Sequence, residues 1–408
     1  MDLITAHQAA AITGARNWDA VAARHPERTA SMAAGLMRGD RLADAVVAEY
    51  FDRHGTPDAM PWRDVVAALE NRDSPTPLPP ALTAFLDAVG TPPSWYDPAL
   101  ARAGAMAWWR FGSLQSSTLY QSLIYGYQAR GFTRPLSATG RLTEGTWDRV
   151  QSTARWVALA TAPECMEIGH PGWVQTLRIR LVHAMVRHHL VRQWWDTEQW
   201  GVPINQTYSQ LTITAGFLAL PLRIGHDFGL RYSAAEREAI THMWRWIGSV
   251  MGVDDDLLPR SFADAQDIDR VARAFQMEPD PDARTLVSAL LDDGYRTEVP
   301  LPPLPPVVAN AINGAVHTVT RPVLRTLFAS VSTRWVDEDV ASAMGLRATP
   351  LHNVVALARP LVRSREVLRA LGVLGSDTRV AQRELRLVTS QLGIDLADPD
   401  AGRYGRVA

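Results

Sequence analysis

The sequence predicts an all-α fold, and three observations carry that expectation. Long stretches place apolar residues at helical spacings of three and four, nine of the 27 prolines fall in two short runs, and no segment keeps the strict alternation of a half-buried strand. At 408 residues, with 47% hydrophobic and 21% charged side chains, the chain has enough apolar material for a large buried core. Disordered and fibrous classes are excluded.

The first part of the chain alternates helical segments with polar breaks. A helix is expected near Ala30 to Arg53, then the break HGTPDAMP, then a helix from Trp62 to Leu69. The run PTPLPP removes backbone donors and restricts the residue before each proline, so it marks a boundary. Residues 1–79 are therefore read as a helical extension. Leu82 to Val89 and Pro98 to Leu119 follow, rich in small unbranched residues that favour helix over strand. Thr143 and Glu144 precede a helix from Thr146 to Ala162, and Pro171 with Gly172 opens a long helix to about Trp195. Asn205 caps a helix expected to end near Pro221. Ser233 to Glu236, SAAE, is a capping box, and its helix runs to about Ser249 and stops at Gly252. VPLPPLPP, Val299 to Pro306, is a second stiff spacer before a helix from Val307 to about Leu327. Asp337 to Leu346, Val355 to Leu371 and Asp377 to Leu392 are again helical, ahead of the polar tail DPDAGRYGRVA. The main domain is placed at 80–330 and a carboxy-terminal helical extension at 331–408.

Composition narrows the function classes. A net charge of −2 gives no bulk attraction to nucleic acid or an anionic membrane. The lone Cys165 rules out an intramolecular disulfide, a CxxC metal site and covalent haem attachment through CxxCH. The amino terminus carries no export signal, so a cytoplasmic protein is expected. Val202 to Leu222 is uncharged, but Asn205, Gln206, Ser209 and Gln210 are costly in hydrocarbon, so no transmembrane segment is expected. Nucleotide-binding, zincin and α/β-hydrolase motifs are absent. A ferritin-like dinuclear site fails too, because Glu167 to His170 is a single ExxH and Glu238 to His242 is off by one. Fourteen tryptophans against nine phenylalanines and nine tyrosines suit either a large helical core or an apolar ligand cavity.

Histidine is the informative residue type. His183 lies in the long helix TLRIRLVHAMVRHHLVRQWW, where Ile179, Val186 and Leu190 share its face. Arg180 and Arg187, three before and four after, lie on roughly the same side. An imidazole on an apolar stripe with two guanidiniums beside it is what haem needs: one nitrogen for the iron, and cations for the propionates. The alternative is a core histidine hydrogen-bonded to a neighbour.

Five segments then carry a resemblance. They are RIRLVHAMVR from Arg178, WGVPINQ from Trp200, FGLRYSAAERE from Phe228, WRWIGSVMGV from Trp244 and LLP from Leu257, all within residues 178–259. Together they resemble the MpaB and latex-clearing-protein oxygenase family, with the wider likeness running from Pro80 to Ser330. The resemblance implies a globin-like helical core holding non-covalent haem b, with His183 as the proximal iron ligand. It implies O2-dependent dioxygenase chemistry on an isoprenoid double bond. On the distal side it implies Arg149 and Thr153 as catalytic residues, four apart in WDRVQST. Ser152 stands where latex-clearing proteins have an iron-ligating lysine, and Thr133 stands where they have an acidic base.

The reading is thus a haem b oxygenase using O2 on a small apolar substrate, isoprenoid or aromatic, with a reductant as a further partner. Trp173, Trp194, Trp195, Phe217, Trp244 and Trp246 are candidates to line the pocket. A haem peroxidase or electron-transfer protein of the same fold is the first alternative, and a non-catalytic haem sensor or helical scaffold the second.

Overall fold

The structure, a computed structural model, describes residues 4–56, 58–71, 77–110, 112, 114–138, 145–295 and 306–396. Thr143, Glu144, most of VPLPPLPP and the polar tail lie outside these residues, as do Pro75 and Thr76 of the first proline run. Among the described residues every regular element is a helix, and the only strand-like pairing is an isolated antiparallel bridge between Ala15 and Met277. The fold is all-α.

The amino-terminal part comprises α1 (Ala6–Thr13), α2 (Trp18–Arg24), α3 (Pro26–Leu36), α4 (Arg41–Asp52) and α5 (Trp62–Ala67). The single helix expected near Ala30 to Arg53 is in fact two. Asp40 leaves helical geometry and caps α4, its carboxylate accepting from the Ala43 amide at 3.2 Å.

The middle of the chain opens with α6 (Pro80–Val89), α7 (Pro98–Trp109), α8 (Leu114–Gly126) and α9 (Arg130–Ala138). The stretch read as one helix from Pro98 to Leu119 is broken at Gly112, whose φ of +52° no continuing helix allows. Next come α10 (Thr146–Thr161), α11 (Pro171–Gln193), α12 (Thr197–Trp200) and α13 (Gln206–Leu211). Asn205 caps α13 as expected, accepting from Tyr208 N at 3.1 Å. A π-helix over Thr212–Ala219 then leads directly into α14 (Leu220–Phe228). The helix does not end near Pro221. In an α-helix the proline ring clashes with the carbonyl four residues back, but here that residue, Phe217, belongs to the wider π turn.

α15 (Ala234–Val250) starts at the expected capping box: Ser233 Oγ accepts from Glu236 N at 3.2 Å, and the Glu236 carboxylate accepts from Ser233 N at 2.7 Å. The chain continues through α16 (Phe262–Ala274), α17 (Pro281–Asp293), α18 (Pro306–Ser332), α19 (Glu338–Ala343), a 3₁₀ turn at Pro350–Asn353, α20 (Val354–Ala370) and α21 (Asp377–Gln391).

Of the helix pairs among the described residues, α7 and α15 pack most extensively against each other. A methyl group on Gly104 would collide with the Ala239 carbonyl, so the two backbones meet directly. The small residues of α7 allow this approach. The largest buried cluster draws Val46 and Val65 from the first part, Leu159, Leu177 and Trp244 from the middle, and Met344, Leu385 and Val388 from the last. Indole N–H groups are placed individually: Trp109 donates to Thr161 O at 2.9 Å and Trp246 to Met166 O at 2.9 Å.

Candidate functional site

α11 presents a fully buried stripe of Leu177, Leu181, Ala184 and Leu190 to the core. His183 lies on the flank of that stripe with Ile179 and Val186, each half-buried. The imidazole is half-buried and keeps part of its own surface uncovered. Burial, and then the positive charge of Arg187, push its pKa down to about 4, with Asp40 pulling weakly the other way. The ring is therefore neutral at pH 7. Among the described residues neither ring nitrogen has a hydrogen-bond partner.

The two flanking arginines are held from outside the helix. Arg180 forms a buried bidentate pair with Asp40, Nε to Oδ2 at 2.5 Å and Nη2 to Oδ1 at 2.9 Å, and its Nη1 donates to Val250 O at 3.1 Å. All three nitrogens are engaged. Gly252 makes room for this pair, since a side chain there would strike the Asp40 carboxylate and the Arg180 guanidinium. Arg187 donates from Nε to both carboxylate oxygens of Asp44, at 2.7 and 3.0 Å, and from Nη1 to Ile204 O at 2.9 Å. Its Nη2 is buried with no partner among the described residues. Burial raises the Asp44 pKa above its ordinary value despite Arg187, so desolvation outweighs the ion pair there.

α10 packs against α11, tied by the Trp156 indole donating to Thr176 Oγ1 at 3.0 Å. It carries Arg149, Ser152 and Thr153, all half-buried. Arg149 Nη2 donates to the Tyr127 hydroxyl at 3.3 Å, and Thr153 Oγ1 donates to Arg149 O at 2.9 Å. Thr133, on α9, is fully buried and donates to Asp280 Oδ2 at 2.6 Å, the carboxylate that caps α17.

Next to α10 lies an aromatic cluster. Phe217, from the π-helix, stacks on Trp244 with centroids 5.6 Å apart, and Trp156 meets both edge-on. The Trp244 indole N–H and the Thr214 hydroxyl are buried with no partner among the described residues. Of the other tryptophans expected to line a pocket, Trp194 is 53% exposed, Trp195 packs on Trp200, and Trp246 stacks on Tyr96. Trp194 is solvent-facing and lines no interior pocket. Tyr127, Asp40, Asp44 and Thr214 were not singled out from sequence. Asp40 preceding a helical run is a readable cap signal, but its second role depends on contacts 140 residues away.

Among the described residues no cluster of three or more His, Cys, Asp or Glu side chains is arranged to hold a metal ion. His170 of the single ExxH sits half-exposed at the start of α11, away from any such cluster.

Comparison with known proteins identifies the family. Residues 102–370 match the family model described as "ER-bound oxygenase mpaB/B'/Rubber oxygenase, catalytic domain". That description overturns the expected cytoplasmic location, because it makes membrane association a property of the family. The expectation rested on leader and hydropathy signals, and a protein held at a membrane face needs neither. No helix among the described residues is long and apolar enough to cross a membrane. The chain is 24% identical over 337 residues to the rubber oxygenase of Streptomyces sp. (strain K30), covering 79% of this chain and 74% of that protein. The fold is similar to that of latex clearing protein LCP in the closed state, with a TM-score of 0.57 at 20% identity over 86% of this chain and 91% of that one. With the family model spanning well over half of its length, the chain belongs to the MpaB and rubber oxygenase family, through that family's oxygenase catalytic domain.

Proposed function

We propose that this protein is a haem b-dependent oxygenase that uses O2 on a small apolar substrate, with His183 as the iron ligand. The observation that carries the reading is the state of His183: half-buried, neutral, and without a hydrogen-bond partner among the described residues. A core histidine kept for packing satisfies its ring nitrogens, whereas an iron ligand must keep a lone pair free. A single histidine suffices, because a porphyrin brings four nitrogens of its own. When bound, haem b supplies a redox-active iron at which O2 is activated.

The protein's own groups divide the remaining work. Arg187 Nη2 is a buried donor left over for a propionate, while Arg180, with all its nitrogens engaged, positions α11 against α4. Arg149, held by Tyr127, would supply a positive charge from α10. Thr153 already spends its proton on Arg149 O, so it offers lone pairs unless its side chain rotates. Ser152 is a weak neutral group in place of a lysine, so no lysine-capped resting state forms. Phe217, Trp244 and Trp156, packed beside α10, would offer the apolar surface nearest to it.

Absorption spectroscopy of protein expressed with a haem precursor tests this. The expected result is a Soret band with a haem b pyridine haemochrome, lost or greatly weakened in His183→Ala while the variant keeps its helical circular dichroism. Unchanged haem content in that variant overturns the ligand assignment. Peroxide-dependent turnover without O2 consumption overturns the oxygenase reading.

A further inference from the structure

The carboxy-terminal helices carry their leucines on the wrong side for a water-facing surface. In α20, Leu357, Leu361, Leu368 and Leu371 recur at spacings of four, seven and three, which puts them on one face of the helix. That face points outward: Leu357, Leu361 and Leu371 are 77%, 75% and 71% exposed. The inward face packs Val355, Ala358 and Val362 against α14 and α18, and beside them Glu366 is buried between Arg365 and Arg369. The α18 helix repeats the theme with Val319 and Val323, 77% and 64% exposed. Scattered surface leucines are ordinary, but four leucines on one outward stripe, interrupted by Ser364, mark a docking surface.

Charge selects the occupant. The only carboxylate of α20 is buried, and Arg359 and Arg363 have no ion-pair partner among the described residues. Beside Val319 and Val323, Arg321 and Arg325 share the single carboxylate Asp292. A second copy of this chain docked through the same face would set arginine against arginine. A bilayer with anionic headgroups pairs with those arginines and takes the leucines into its acyl boundary. The stripe is also too short for a coiled coil, covering about two heptads where three or four are needed. The family description as ER-bound is consistent with this choice.

We infer that the outward faces of α20 and α18 form a membrane-docking surface, in which the α20 leucines insert at the face of an anionic bilayer and flanking arginines meet the headgroups. The inference stands independently of the haem assignment.

Flotation of the full-length protein with phosphatidylcholine vesicles, with and without phosphatidylserine, tests it. The parent protein is expected to float, more with phosphatidylserine and less in high salt. The variant Leu357→Ser/Leu361→Ser/Leu371→Ser is expected to lose at least about tenfold in partitioning, the change that failing to bury even one leucine produces. Arg363→Glu is expected to lose binding chiefly on the phosphatidylserine vesicles. All three side chains of the triple variant are solvent-facing, so unchanged thermal melting should accompany the loss. A fluorophore on Leu361→Cys gives a second readout, since Cys165 is buried; a blue shift on adding vesicles is expected. Absence of flotation, equal flotation of the triple variant, or no spectral shift overturns the inference. A dimer that the triple variant dissolves, with no vesicle binding, assigns the face to a second copy instead.

Discussion

At the scale of single residues, the helix spacing placed Arg180 and Arg187 within about a turn of His183 along α11 but left their partners unseen. Both guanidiniums are held by carboxylates from the amino-terminal part, Asp40 and Asp44, about 140 positions earlier in the chain. No local pattern encodes such a pairing. The Arg180–Asp40 pair is nearly dry, so removing one member leaves the other charge buried and uncompensated. Asp40→Ala is expected to destabilise the protein by about 3–5 kcal/mol, with about 1 kcal/mol of that from the lost α4 cap. Asp40→Asn, which retains acceptor capacity, should lose less. Urea denaturation followed by circular dichroism checks both, and an Asp40→Ala midpoint equal to the parent's would show the pair to be energetically idle.

Among the elements, capping signals were the most legible. Asn205 and the Ser233–Glu236 box start their helices where the sequence put them, because a cap is a contact between residues two or three apart. The π-helix was not legible. Its residues, TITAGFLA, are as compatible with an α-helix, and within it Phe217 stacks on Trp244 and meets Trp156 edge-on. The small residues of α7 were readable as helix formers, but the direct backbone crossing they permit was not. That crossing gives a prediction at its own scale. Gly104→Val should push α7 off α15 and cost about 1–3 kcal/mol through overpacking. Gly314→Ala, in α18 where nothing lies within contact distance, should gain up to about 1 kcal/mol. Denaturation midpoints of the two variants should therefore move in opposite directions; a shared direction would refute the packing argument.

Across the whole molecule, one buried cluster receives side chains from the amino-terminal, middle and carboxy-terminal segments alike. Boundaries drawn at residues 79 and 330 follow the proline runs and helix ends, whereas the core follows contacts between distant helices. A chain ending at Ser332 would strip Met344, Leu346, Ala381, Leu385 and Val388 from that cluster. It is expected to lose cooperative thermal unfolding and to bind ANS, as a chain with an open core does. A sharp melt at the parent temperature would instead make the last segment an independent addition.

The sequence by itself determined the helical class, the capped helix starts and the family, because each is written in neighbouring residues or in short motifs, and it singled out His183 as the candidate ligand. Tertiary structure alone decided which carboxylates hold the arginines, where the helix widens into a π turn, and which way α20 faces. A leucine stripe at spacings of four, seven and three reads identically whether it is buried or bare. Only the packing of the other face, where Val355, Ala358 and Val362 meet the core and Arg365 and Arg369 hold Glu366, turns it outward.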